Sequence, residues 1–381
     1  MNTTFVFRLP KEIYYGSGEL RETGTIVKKL GKKALVVCGR NATRKAGFLS
    51  RLEDSLNDSG IHMNIFDGVE PEPSLETVDR GVKEGLHWEC DMVISLGGGS
   101  VLDCGKAIAG VLSNGESVVP FFRGELLSKP GLPWIALPTT AGTGSEMTNN
   151  AVLTDREKKL KRSLRSTHLI ARVVITDPLL THTMSPYLTA TSGIDALVQA
   201  IEAYTSPHCN PVSDVLGLEA VALLWGHLPQ AVHRGDDQNA REKVARGSLL
   251  SAMSFANSSS GPAHGLSHIV GPEFGVVHGE ACGMFLPHVI RYNSEILEER
   301  YTRLAETVQV PSSGTGRALD LAEAFEKMMK EIALRTRLSE WGVTENMLEG
   351  VVREEAVSRN IHENPRPIKM NDIYVLLSQA L

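Results

Sequence analysis

The chain has 381 residues, 42% of them hydrophobic and 22% charged, with 35 glycines. That composition excludes a wholly disordered chain, and the length passes the roughly 250–300 residues at which one core stops growing, so two domains are expected. A formal net charge of −6 and a pI near 6.1 give no electrostatic ground for a nucleic-acid partner. No apolar stretch approaching the roughly 18 residues of a membrane span stands out, and the first residues lack a signal peptide's basic head and apolar body. A cytoplasmic protein with no membrane partner is the expectation. Five cysteines (Cys38, Cys90, Cys104, Cys209 and Cys282) show no C-x-x-C spacing, so they read as ordinary thiols in a reducing compartment.

In chain order, the apolar run 33–38 reads as a buried strand, ended by Gly39 and a basic turn, and 48–57 as a helix. A strand over 61–66, a helix over 75–87 and a strand over 92–96 follow, the last running into Gly97-Gly98-Gly99-Ser100 and a helix over 100–109. Further strands are expected at 133–137 and 173–176. Strand, turn and helix alternate, which is the signature of a parallel sheet covered by helices. The texture changes near residues 181–186: segments 186–204, 212–227, 240–256 and 319–335 and the tail from 371 are all helical. Residues 1–183 are therefore expected to form an α/β domain with a parallel sheet, and 184–381 an all-α domain.

Two glycine-rich turns follow strands. In the first, Gly98, Gly99 and Ser100 let the backbone approach a ligand while the helix behind offers its free N–H groups to a phosphate. The second, Pro138 to Glu146, carries Thr139, Thr140, Thr143 and Ser145 and suits a nucleotide or polar substrate. Two such loops suit a ligand with more than one polar part, such as a dinucleotide. Where NAD-selective sites of this kind often place an acid, this chain has Gly39, followed by Arg40, Thr43, Arg44 and Lys45. These donors favour a ribose 2′-phosphate, hence NADP over NAD by a modest margin. The alternative is a solvated basic turn.

Asp195 and Gln199 lie one helical turn apart, as do His264 and His268, and His278 follows. Asp195, His264 and His278 are the expected metal contacts, because three protein ligands and an open position make a common catalytic site. Gln199 is left with three roles: a weak carbonyl ligand, a partner for a bound water, or a hydrogen-bond partner of Asp195. His268 suits a proton relay or substrate contact. Asn149, Asn150 and the segment around His362 to Arg366 are candidate substrate contacts.

Taken together, the segments Pro10 to Gly18, Gly97 to Lys106, Pro138 to Thr148, Asp177-Pro178, Gly193 to Leu197 with Ile201 to Tyr204, His264 to His268, His278-Gly279 and Asn364 to Arg366 resemble the iron-containing, or group III, alcohol dehydrogenases. The fold of that family is shared with glycerol dehydrogenase and dehydroquinate synthase. The resemblance implies a dehydroquinate synthase-like fold in which residues 1–183 are the nicotinamide-dinucleotide-binding domain and 184–381 the metal and substrate domain, with an active site in the cleft between them, and homodimers or higher homo-oligomers. It implies cofactor contacts at Gly98, Gly99, Ser100, Asp103, Thr139, Thr140, Thr143 and Ser145, and an iron or zinc ion at Asp195, His264 and His278. Gln199 stands where the family has a histidine, and Gly39 where it has an NAD-selecting aspartate. The implied activity is hydride transfer between NAD or NADP and a small alcohol, aldehyde or ketone. The alternatives are a metal-independent reductase resembling maleylacetate reductase, a dehydroquinate synthase-like lyase and a noncatalytic nucleotide-binding protein.

Overall fold

The computed structural model describes residues 4–158, 160–353 and 358–381. The chain divides into two compact units, Arg8–Thr183 and Met184–Leu381, the second also taking residues 4–7.

The first unit is built on a six-stranded sheet of β1 (Glu12–Tyr15), β2 (Lys33–Gly39), β3 (His62–Val69), β4 (Met92–Gly97), β5 (Trp134–Pro138) and β8 (Val173–Thr176). A separate antiparallel hairpin joins β6 (Asn150–Asp155) to β7 (Leu160–Arg165). The sheet runs β1-β8-β5-β4-β2-β3 and every pairing in it is parallel. Its central strands carry residues such as Val36, Ile94, Leu96 and Ile135, all fully buried, as strands covered on both faces require. Helices α1 (Phe48–Asp58), α2 (Leu75–Trp88) and α3 (Gly99–Leu112) connect them, with Ser74 capping α2 by accepting from Thr77 N. The chain leaves β2 toward β3 on one side and returns as β4 on the other. This reversal opens a crevice at the carboxyl ends of β2 and β4, where doubly wound sheets bind ligands. Gly39 and Gly97 end those two strands.

Strand β1 and the β6–β7 hairpin are absent from the sequence-based expectation. The first is a four-residue edge strand with no fully buried residue, and β7 buries only Leu164. Neither presents the apolar signal that marks a central strand.

The second unit consists of helices, chiefly α4 (Pro186–Thr205), α5 (Pro211–His233), α6 (Gln238–Ala256), α7 (Pro262–Phe274), α8 (His278–Thr307), α9 (Arg317–Glu331) and α10 (Met370–Gln379). Their starts follow capping chemistry: Ser185, Asn210 and Asp237 accept backbone N–H bonds at the first turns of α4, α5 and α6, and Pro opens α4, α5 and α7. One expectation needs correction: α5 has 23 residues and a window of mean hydropathy 1.3, long and apolar enough for a membrane span by length and composition alone. Its apolarity has a local use, because α5 packs along α4 and α6 and buries Val221, Leu224 and Leu228.

Candidate functional site

In the first unit the two glycine-rich loops leave the adjacent strands β4 and β5 and touch. Thr139 N donates to Gly97 O at 3.0 Å. A Cβ on Gly99 would stand 2.7 Å from Thr143 Oγ1, so only glycine admits this approach. Gly98, Gly99 and Ser100 open α3, with Gly98 at its N-cap supplying no capping side chain, so the helix N-terminus lies at the glycine-rich turn where an anion can be met.

Beneath the loops lies a buried polar knot. Lys106 is 1% exposed, and its ammonium donates to Ser145 O (2.8 Å), Ser145 Oγ (3.1 Å), Thr148 Oγ1 (2.9 Å) and Asn150 O (2.6 Å). Asp103 accepts from Ser145 Oγ at 2.5 Å and from Val152 N at 3.1 Å. The Asp103 carboxylate and the Ser145 hydroxyl are thus committed to holding the second loop and the hairpin in place. Asn150 stands at the hairpin's start with its carbonyl on Lys106, and Asn149 O accepts from Ser166 N. Burial lowers Lys106 to about 8, against the opposing pull of Asp103 and Glu146. Burial raises the Glu146 carboxyl to about 7, so the folded chain holds a proton there that the unfolded chain releases near 4.5. That contribution is present below pH 4.5 and is lost as pH rises through about 7. Glu146→Gln should remove the loss and leave the variant more stable at pH 8 by on the order of 2 kcal/mol. Urea unfolding at pH 5 and pH 8 checks this, since an unchanged difference between the two pH values would contradict it.

The turn after β2 places Gly39 at the strand end, Arg40 exposed and Thr43 buried. Arg44 pairs with Asp67 at 3.2 Å, both side chains being about half exposed. Asp67 lies on the neighbouring strand β3 and went unnoticed in the sequence because it is far from the turn along the chain.

In the second unit Asp195, His264, His278 and Cys282 converge, each offering one donor atom within 4.8 Å of the others. Asp195 Oδ1 lies 3.3 Å from His264 Nε2 and 3.7 Å from His278 Nε2, and Cys282 Sγ lies 3.7 Å from His278 Nε2. Helix α4 contributes Asp195, α7 His264, and α8 both His278 and Cys282 one turn apart. Glycine lets α8 reach α4: a Cβ on Gly279 would meet Thr191 O at 2.0 Å and Asp195 Cβ at 3.1 Å.

Surrounding groups set the ring orientations. Glu202, 2% exposed, accepts from Gly261 N (2.8 Å) and Ala263 N (2.6 Å) at the start of α7, and lies 2.6 Å from His264 Nδ1. A carboxylate there completes the free N–H groups and the positive end of the helix. It also fixes the proton of His264 on Nδ1, leaving the Nε2 lone pair toward Asp195. Ser267 Oγ donates to His264 O and lies 3.1 Å from His278 Nδ1, so its free lone pair takes the His278 Nδ1 proton and that ring also turns Nε2 inward. Among the described residues, the buried Asp195 Oδ1 and His264 Nε2 have no hydrogen-bond partner. Two inward-facing acceptors at this distance call for a cation between them. The local field agrees. Burial disfavours charge on each group, yet the neighbours outweigh it, holding Asp195 below the ordinary aspartate range, raising His264 and His278, and lowering Cys282 to about 7. The donor set fits a divalent transition metal.

Gln199 is 3% exposed and its Oε1 lies 3.3 Å from Ser251 Oγ, whose shorter bond of 2.7 Å goes to Ala196 O. His268 is exposed, with its ring stacked on that of His278 at a centroid distance of 5.4 Å. His362 is exposed on the short helix Arg359–His362, which packs against α7. Cys282 and Glu202 were given no part in the sequence-based expectation, although the i+4 step from His278 and the i+7 step from Asp195 place each on the right helical face.

The chain matches the family described as iron-containing alcohol dehydrogenase over residues 10–178, and the C-terminal part of the same family over residues 189–381. It is 35% identical to a 1,3-propanediol dehydrogenase of Klebsiella pneumoniae, covering 99% of this chain and 98% of that one. It is 32% identical to an NADPH-dependent butanol dehydrogenase of Clostridium saccharobutylicum, covering 96% and 95% respectively. Among solved structures, a 1,3-propanediol oxidoreductase superposes with a TM-score of 0.95 at 34% identity, over 99% of this chain and 100% of that one.

Proposed function

The chain belongs to the iron-containing alcohol dehydrogenase family, and from that premise we propose that it moves hydride reversibly between a nicotinamide dinucleotide and the carbinol or carbonyl carbon of a small alcohol, aldehyde or ketone. One observation carries the metal-assisted form of this reaction: the partnerless buried pair Asp195 Oδ1 and His264 Nε2, facing each other across 3.3 Å beside His278. When bound, the metal supplies Lewis-acid polarisation of the substrate oxygen.

The protein's residues do the rest. Asp195, His264 and His278 would hold the ion, with Gln199 an optional further contact, and Glu202 keeps His264 in its ligating tautomer. In the oxidising direction a bound nicotinamide would supply the hydride acceptor, and the hydroxyl proton would leave through His268, whose exposed ring can pass it to solvent. Gly98, Gly99 and Ser100 at the start of α3 would take the pyrophosphate, with Thr139, Thr140 and Thr143 on the second loop beside it and Asp103 and Ser145 fixing its shape. Asn149, Asn150 and His362 are proposed substrate contacts. Both nicotinamides are expected to serve, NADP the better, because Gly39 presents no acid and Arg40, Thr43 and Lys45 can meet a 2′-phosphate. Arg44 contributes less because Asp67 holds it. A homodimer is part of the same proposal.

Aldehyde-dependent oxidation of NADPH and NADH, measured before and after chelation and again after adding back iron or zinc, tests this reading. Activity is expected to fall on chelation and return with metal, at higher kcat/KM for NADPH. Full activity after complete metal removal would instead favour a metal-independent reductase. Cofactor binding without turnover of any carbonyl would favour a noncatalytic nucleotide-binding protein.

A further inference from the structure

The four-donor cluster contains one atom type that neither the sequence motifs nor the proposed three-ligand site uses, the Cys282 sulfur. We propose that Cys282 is a direct ligand, giving an Asp–His–His–Cys donor set that selects zinc-class ions over ferrous iron, manganese or magnesium and would take the substrate oxygen as a fifth ligand. This inference rests on the metal-assisted reading above.

The geometry carries it. A tetrahedral ion bound at about 2.0–2.3 Å holds its ligand atoms roughly 3.3–3.8 Å apart. Three of the six edges are 3.3 Å (Asp195 Oδ1 to His264 Nε2), 3.7 Å (Asp195 Oδ1 to His278 Nε2) and 3.7 Å (Cys282 Sγ to His278 Nε2), and the other three lie within 4.8 Å. Cys282 is fully buried, and it follows His278 by one helical turn, so α8 delivers both donors on one face. Independently of the cysteine, two buried polar atoms, on residues 5% and 6% exposed, already point into the same space without partners. The remaining four cysteines lie outside this cluster. Thiolate is a soft donor, and its presence shifts a site from the hard, oxygen-preferring ions toward zinc and cobalt.

Cobalt(II) added to the demetallated full-length protein provides a readout independent of turnover. The parent complex is expected to show an intense sulfur-to-cobalt charge-transfer absorption in the near ultraviolet. Cys282→Ser should still bind cobalt but lack that absorption, and its zinc affinity should fall by about 10-fold or more while its affinity for iron(II) changes less. A parent cobalt complex without the charge-transfer absorption overturns the ligation of Cys282 and leaves the metal-assisted reading standing; this measurement needs no variant to fold. A parent protein that binds no cobalt overturns both.

Discussion

Replacing Lys106 by methionine is expected to destabilise the first unit by about 3–5 kcal/mol, the range for breaking a buried ionic network by removing one member. Methionine matches the length and apolar stem of lysine, so the loss isolates the ammonium. Without it, Ser145 O, Ser145 Oγ, Thr148 Oγ1 and Asn150 O lose a donor, and the nearly buried Asp103 carboxylate loses the positive charge 3.6 Å away. Asp103 also holds Ser145 and Val152, so the strain passes directly into the second glycine-rich loop and the hairpin. Nicotinamide affinity should therefore weaken by at least about 10-fold, equivalent to about 1.4 kcal/mol. Chemical unfolding and fluorescence titration with NADPH measure the two effects separately. Unaltered cofactor affinity in a folded variant would mean that the loop keeps its shape without the lysine.

The second large effect is expected at Asp195. Asp195→Asn preserves shape but removes the carboxylate charge from the cluster, where His264 and His278 both approach Oδ1. Metal retention after dialysis should be lost, and kcat/KM should fall by about 10³-fold or more, a few kcal/mol of the stabilisation a Lewis acid gives a developing alkoxide. Glu202→Gln, one bond further out, should lose only about 10–100-fold in metal affinity, as partners of ligating histidines do. It keeps an acceptor for part of the helix terminus but loses the charge that orders His264. Metal content by elemental analysis ranks the three proteins; an Asp195→Asn protein retaining a full equivalent would remove Asp195 from the ligand set.

Much of the fold was legible along the chain. The strands at Lys33–Gly39, Met92–Gly97 and Val173–Thr176 and the helices at Phe48–Asp58 and Pro186–Thr205 fall where the apolar periodicity places them, to within a residue at their ends. Those signals are local, set by burial on both strand faces or on a helix stripe, and so they survive in the linear order of residues. Edge strand β1 and strand β7 were not legible, because half-exposed backbone pairing leaves almost no apolar pattern.

The sequence by itself determined the alternation of strands and helices, the two glycine-rich turns and the spacing of Asp195 with Gln199 and of His264 with His268 one helical turn apart, since each depends on neighbours within a turn or two. Only the tertiary structure decided that Cys282 stands with Asp195, His264 and His278, that Glu202 orients His264, that Asp67 holds Arg44, and that Lys106 ties Ser145 to Asn150. These partners come from separate elements, and a hydrogen bond or ligand set formed between elements depends on packing distances that no periodicity along the chain encodes.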